Sequence, residues 1–424
     1  MSIDDPAAPS VTTETPSHRA VVSRRFSGRS VVYLAILGLL LLSLVRVITG
    51  ADLTSGGTVG ATISLAVPIA LAGLGGLWSE RSGVVNIGLE GMMILGTYFG
   101  AAFSYFSHSP WMGVLGGIVG GMLGGILHAV ATVTFGVDHI VSGVAITILA
   151  TGLARYLAGV FFTGQQGGGP TQSPPVPRFA KLSIPGSDSF FSKAEQHHWF
   201  VISDVSGVLR ALTSGLTPFT ILMFLMFPLT WFVLWRTEFG LRLRFCGEHP
   251  TAAESLGVPV YLMKYTAVTI SGALAGLGGA FLADFSGLYR EGQTAGRGFI
   301  GLAAMIFGNW RPGGLAAGAG LFGYTDALQL RQGAKTVHAL LLLVALLLVV
   351  IGAYQLWSRR TVAGVAAIVA AGLVFLWYSV TDDVPIEFVP ATPYIITLLV
   401  LALASQRLRM PAADGIPWRK GQGT

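Results

Sequence analysis

The chain has 424 residues, 52% of them hydrophobic and only 11% charged, with a mean hydropathy of +0.68 and a net charge of +6. A soluble domain carries roughly 25% charged residues, so this chain cannot clothe a water-facing surface of its own size, and lipid must be the solvent for most of it. The pI of 9.5 does not argue for nucleic acid, because the small basic excess follows the positive-inside pattern, and the lone Cys246 excludes an intrachain disulfide.

Residues 1–29 are rich in Ser, Thr, Pro and Asp and then basic at Arg19, Arg24, Arg25 and Arg29. They read as a disordered basic cytosolic tail. A span needs about 20 apolar residues. Apolar runs predict about 12 transmembrane helices, near 30–50, 58–78, 84–106, 111–134, 139–163, 218–236, 264–285, 298–310, 313–331, 337–357, 361–380 and 386–405. The expected fold is therefore all-α, a polytopic membrane domain over 30–410 followed by a cytosolic tail at 411–424. The eighth run, "GFIGLAAMIFGNW", is too short to cross alone. It must be a half-helix or continue through "RPGG", which is tolerated only where protein or water covers the freed backbone. Threading with the N-terminus inside puts twice as many Lys and Arg in cytosolic segments as in external ones. The short loops thus favour both termini in the cytosol, an external loop at 164–217 and a cytosolic loop at 237–263.

A weak repeat joins "SERSGVVNIGLEGMMILGTYFG", after the second run, to "EGQTAGRGFIGLAAMIFGNWRPGG", after the seventh. Each places a polar, Gly-containing turn before a short apolar run. One turn falls inside and the other outside, so the halves are inverted. Inverted halves with broken helices point to a transporter with its pathway between them.

The cytosolic loop holds "HPTAAESLGVP", punctuated as a helix of about two turns. Pro250 suits its first position, Gly257 the left-handed position after its last, and Pro259 prevents resumption. Thr251 and Glu254 also fit a capping box that would start it slightly later. Ala252 and Ala253 are small enough for close docking against another surface. The plainer reading is an amphipathic loop on the bilayer.

Here the residues resemble a family. "GEHPTAAESLGV" is similar to the cytosolic coupling segment of the permease subunits of ABC importers, the group that includes branched-chain amino-acid, ribose and nucleoside permeases. "LWSERSGVVNIGLEGMMILG", "AGRGFIGLAAMIFGNWRPGG" and the ending "PYIITLLVLA" with "PAADGIPW" resemble signature regions of its nucleoside/simple-sugar branch. The resemblance covers roughly 58–335 and 386–420. It implies an all-helical fold with inverted halves and ATPase coupling through Gly247, Glu248, Pro250, Ala252, Ala253, Glu254 and Gly257. It also implies three partners: a second permease subunit forming a heterodimer with this one, a cytosolic ABC ATPase and an extracytoplasmic substrate-binding protein, with lipid around them. The expected location is the cytoplasmic membrane. One departure stands out: 337–380 inserts two apolar runs joined by "WSRRT" where the family has a short connection.

Candidate pathway residues are the polar groups inside spans. Asn86 and Glu90 sit four apart near the start of the third span. Glu90 could serve substrate, carry a proton, pair with Arg81 or cap backbone at a broken helix. Asp138 and His139 suit the N-terminal cap of the fifth span. Arg155 lies deeper in that span and must face protein or water, whereas Arg46 is expected to snorkel. Asp284, Thr294 and Arg297 line the outer turn of the second half, and Asp326 with Tyr324 lies near the outer end of the ninth span. No metal-ligand cluster or phosphate-cradling loop is present, since "GAKT" at 333–336 lacks the glycines a P-loop needs. No cofactor is expected, no enzyme active site can be assembled, and any ATP hydrolysis must come from a second protein. The competing reading is a proton-coupled secondary carrier using Glu90 or Asp326.

Overall fold

The computed structural model describes residues 28–385 and 408–421. Most of the N-terminal tail, the twelfth expected span and "PYIITLLVLA" lie outside them. The described residues are helical with a few isolated β-bridges. In chain order the helices are α1 (Gly28–Thr49), α2 (Gly56–Arg81), α3 (Leu89–Ser107), α4 (Pro110–Ala129, prolonged by a π-turn at Val130–Thr134) and α5 (His139–Phe162). Then follow α6 (Ser187–Gln196), α7 (Ile202–Thr213), α8 (Pro218–Arg236), α9 (Glu238–Glu248), α10 (Pro250–Ser255), α11 (Val260–Ser286), α12 (Arg297–Phe307), α13 (Pro312–Trp357) and α14 (Thr361–Val380). Each of the first eleven expected runs falls on a helix. Seven of these helices are long and apolar enough to cross a bilayer, so a count of twelve spans is not reached among the described residues. Local signals set the boundaries. Ser55 caps α2 by accepting the Thr58 N–H at 3.1 Å, and Asp138 caps α5 by accepting from Ile140 and Val141.

Two long helices, α2 and α11, cross at the centre. They run antiparallel, because Gly75 approaches Ser271 while Gly278 approaches Pro68. Around them the halves exchange roles: α11 packs against α3 and α4, while α2 packs against α12 and α13. Gly96 meets Gly276 and Gly100 meets Ala280, so α3 runs parallel to α11; Gly301 meets Gly73 and Leu302 meets Gly76, so α12 runs parallel to α2. This is the inverted repeat in three dimensions. Its closest seam needs glycine: a Cβ on Gly276 would sit 2.2 Å from the Gly117 carbonyl, and one on Gly121 2.1 Å from that of Gly272. Small residues let transmembrane backbones touch, which is how helices associate where lipid supplies no hydrophobic driving force.

α13 bends at Gly333, whose φ of 53° and ψ of −124° break the helix. Its second arm and α14 form the hairpin expected over 337–380, packed on each other. Most of α14 faces outward through Val362, Leu373, Trp377 and Val380. The 164–217 loop is folded and carries α6 and α7. Within it, Asp204 lies 2.8 Å from Arg46 and accepts from Ser43 at 2.5 Å and from Thr54. Arg46 therefore does not snorkel. A buried carboxylate 158 residues away holds it inside the protein.

Candidate functional site

The two broken-helix turns bring α3 and α12 together at their N-termini. A Cβ on Gly298 would lie 2.6 Å from the Glu90 Cα, so the backbones are in contact. Gly296 adopts φ 77° immediately before α12, a left-handed conformation that glycine takes without strain. The buried Glu90 carboxylate spans the opening turn of α12. One oxygen accepts the Gly296 N–H at 3.0 Å and the other the Gly298 N–H at 2.7 Å. The N-terminus of a helix carries free N–H groups and partial positive charge, and an anion satisfies both. Of the roles open to Glu90, capping at the broken helix matches its contacts. Arg81 is occupied elsewhere, donating to the Trp310 carbonyl at 3.1 and 2.6 Å.

Beside this junction lies a cavity of about 270 Å³, lined by Glu90 and Ile94 from α3, Thr147 and Thr151 from α5, and Tyr289, Glu291, Gly292 and Thr294 to Gly296 from the α11–α12 turn. Small-ligand sites run from about 300 Å³ upward, so the space lies just under the small end of that range. Arg155 stands one turn beyond Thr151 and reaches Glu291 at 3.6 Å. Tyr289 is buried and meets Tyr98 edge to face, with ring centroids 5.6 Å apart. The lining thus offers hydroxyls, a carboxylate with its guanidinium, and an aromatic wall.

The expected pathway residues divide. Glu90 and Thr294 line the cavity, and Arg155 reaches it through Glu291. Arg297 and Asp326 pair with each other at 3.8 Å and are not among its lining residues. Asp284 accepts the Phe179 N–H at 2.9 Å and ties the 164–217 loop to α11. Asn86 lies in the turn before α3 rather than on it, because the helix starts at Leu89. It donates to Ser271 at 2.9 Å. Thr147, Thr151, Tyr289 and Glu291 were missed. The i, i+4, i+8 spacing of Thr147, Thr151 and Arg155 in an apolar helix was the available signal.

At the other end, α9 and α10 form a folded platform. α10 starts at Pro250 and stops before Gly257, whose φ is 80°. His249 occupies the cap position without a side-chain bond, so the later start through Thr251 is not used. The helix has two faces. Thr251, Ala252, Ser255 and Leu256 are exposed, Leu256 by 75%. Ala253 is wholly buried against Cys246, Val260, Met263 and Trp418. Gly247 is also internal: a Cβ there would lie 2.3 Å from the Arg81 carbonyl. Both were expected on a docking surface, but their small size serves packing within the chain. Glu248 and Glu254 accept the N–H groups of Ala412 and Gly421 at 3.1 and 3.4 Å. The 411–424 tail is thus docked over its described part. Burial pushes the Cys246 thiol up to about 11.

The model of the branched-chain amino acid transport system / permease component family matches residues 58–352. The guanosine ABC transporter permease protein NupQ of Bacillus subtilis is 33% identical over 370 residues, 85% of this chain and 96% of that protein. The nucleoside ABC transporter permease protein NupC of Lactococcus lactis is 31% identical over 362 residues, 84% and 94% of the two chains. A putative glucose ABC transporter permease protein of Haloferax volcanii is 36% identical over 279 residues, 65% of this chain and 78% of that one. No solved structure matches. Taken with the inverted helical halves and the cavity between their broken helices, these likenesses show that the chain belongs to the family of ABC-transporter permease components, a multi-pass membrane protein.

Proposed function

We propose that this chain is the translocation subunit of an ABC importer and that its 270 Å³ cavity takes a nucleoside or simple sugar. The observation that carries the reading is the cavity's position beside the meeting N-termini of α3 and α12, between the inverted halves. Its Thr147, Thr151 and Thr294 hydroxyls and the Glu291–Arg155 pair suit a neutral, hydroxyl-rich solute. The names of the two relatives that span most of the chain point the same way.

The energy enters through a separate ATPase seated on the exposed Ala252–Leu256 face of α10, with both termini in the cytosol. A second, unlike permease subunit completes the pathway, and an extracytoplasmic binding protein delivers solute. Proton coupling has less support: both Glu90 oxygens are committed to backbone N–H groups, and Asp326 is paired with Arg297. The test is uptake of radiolabelled guanosine, adenosine and glucose into vesicles holding the assembled complex. ATP-dependent uptake of a nucleoside or a sugar is expected. Uptake driven by a pH gradient without ATP would overturn the reading.

A further inference from the structure

We propose that the segment 409–421 is a strut that carries movement of α10 to both half-helix turns. It rests on the reading of α10 as the ATPase-coupling helix. The segment makes three separate attachments. To the α9–α10 platform, Ala413 N–H donates to the Gly247 carbonyl at 2.9 Å, Glu248 and Glu254 hold Ala412 and Gly421, and Trp418 joins the buried cluster that includes Ala253. To the α2–α3 turn, the Ala413 carbonyl lies 3.1 Å from where a Gly83 Cβ would be, and Gly415 packs on Val85. To the α12–α13 turn, Arg409 N–H donates to Asn309 Oδ1 at 2.8 Å.

α10 itself is a six-residue helix that packs on α9 and the start of α11. A helix this short has little stiffness of its own. Trp418 supplies a rigid body behind it, with the Tyr261 ring at 5.4 Å. Close-packed contacts transmit displacement, so a push on Leu256 reaches Gly83 and Asn309 through this segment.

The experiment measures solute taken up per ATP hydrolysed in vesicles holding the complete complex. Trp418→Ala is expected to keep ATPase co-purification and hydrolysis, since the exposed face of α10 is untouched. Uptake per ATP should fall about tenfold, the scale on which one side chain alters coupling. Trp418→Phe, which refills the space, should restore most of it, and a chain ended after Arg409 should behave like Trp418→Ala. An unchanged ratio in Trp418→Ala would overturn the strut. So would loss of ATPase binding, which would make the segment part of the docking surface. If the unmodified protein itself retains no ATPase, the coupling reading has failed rather than the strut.

A separate observation carries a second proposal. α7 is amphipathic the wrong way round for a water-facing helix. Its Ser203, Asp204, Ser206 and Gly207 are buried, while Ile202, Val205, Leu209 and Leu212 are exposed, next to exposed Trp199 and Phe200. We infer that this face lies in the head-group layer of the bilayer. An exposed apolar side of α1 adjoins it: Leu44, Val47 and Ile48 are exposed, and Arg46 joins the two helices through Asp204 and the Trp199 carbonyl. Aromatic residues favour that layer, and interfacial helices bury an apolar face there. Spin labels at Leu209→Cys and Leu212→Cys in nanodiscs should be more accessible to oxygen than to a polar nickel reagent. The reverse order would overturn the proposal, as would protection from both reagents, which would mark a protein-docking face.

Discussion

The Glu90 carboxylate accepts the Gly298 N–H at 2.7 Å across 208 residues of chain. That bond, with its twin to Gly296, fixes how the two broken helices meet and so shapes the cavity beside them. Replacing Glu90 with Ala strands the buried Gly298 donor, at a cost of about 1–3 kcal/mol, and the part-buried Gly296 donor as well. Thermal unfolding in detergent should show Glu90→Ala clearly less stable, with Glu90→Gln intermediate because the amide keeps one acceptor. A Glu90→Ala protein as stable as the original would contradict the capping role.

The glycine seam gives a second expectation. Gly276→Ala places a methyl group into the Gly117 carbonyl and should destabilise by about 1–3 kcal/mol, the usual range for overpacking. Gly152→Ala, with nothing within 4 Å of its added carbon, serves as the control. The two should separate in the temperature at which each protein aggregates after solubilisation.

Cavity filling tests the pathway. Thr151 lies on the cavity wall and is exposed, so Thr151→Trp should fold and assemble while uptake drops at least tenfold. Normal uptake with a tryptophan there would place the solute elsewhere.

A pH effect follows from Asp414. Burial raises its carboxyl from 3.8 to about 7, against the opposing pull of a hydrogen bond to Glu80 and of the Lys264 and Arg81 charges. A carboxyl raised on docking favours the docked state most below its free value, and that support is lost as pH rises through about 7. A spin label at the exposed Ile416→Cys should therefore become more mobile between about pH 5 and about pH 9, and Asp414→Asn should flatten the change. Greater mobility at acid pH would reverse the sign and refute the account.

Much of this was legible in the sequence because it is local. Pro250 and Gly257 mark a short helix by backbone chemistry alone, and "GFIGLAAMIFGNW" is too short to span whatever surrounds it. The Arg46–Asp204 pair was not legible, since nothing near Arg46 announces a partner 158 residues away. Ala253 shows the same limit. A small residue on a short helix fits an external partner or an internal neighbour equally well, and Trp418, 165 positions later, decides it. The burial of Cys246 also removes the native thiol as a reporter of sidedness; a cysteine at Ser255, which is exposed, takes its place.

The central claim is that α10 receives the ATPase on its exposed face, and uptake by Ala252→Arg beside Ala253→Arg tests it most directly. Ala253→Arg forces a charge into the packing around Trp418 and should lower the amount of folded protein. Ala252→Arg leaves that packing alone, so the protein should reach the membrane in normal amount. A disrupted anchor site in an interface costs about 2 kcal/mol or more, some thirtyfold in association. The account expects Ala252→Arg to lose ATPase co-purification and ATP-driven uptake together. Retention of both at the unmodified level would contradict it.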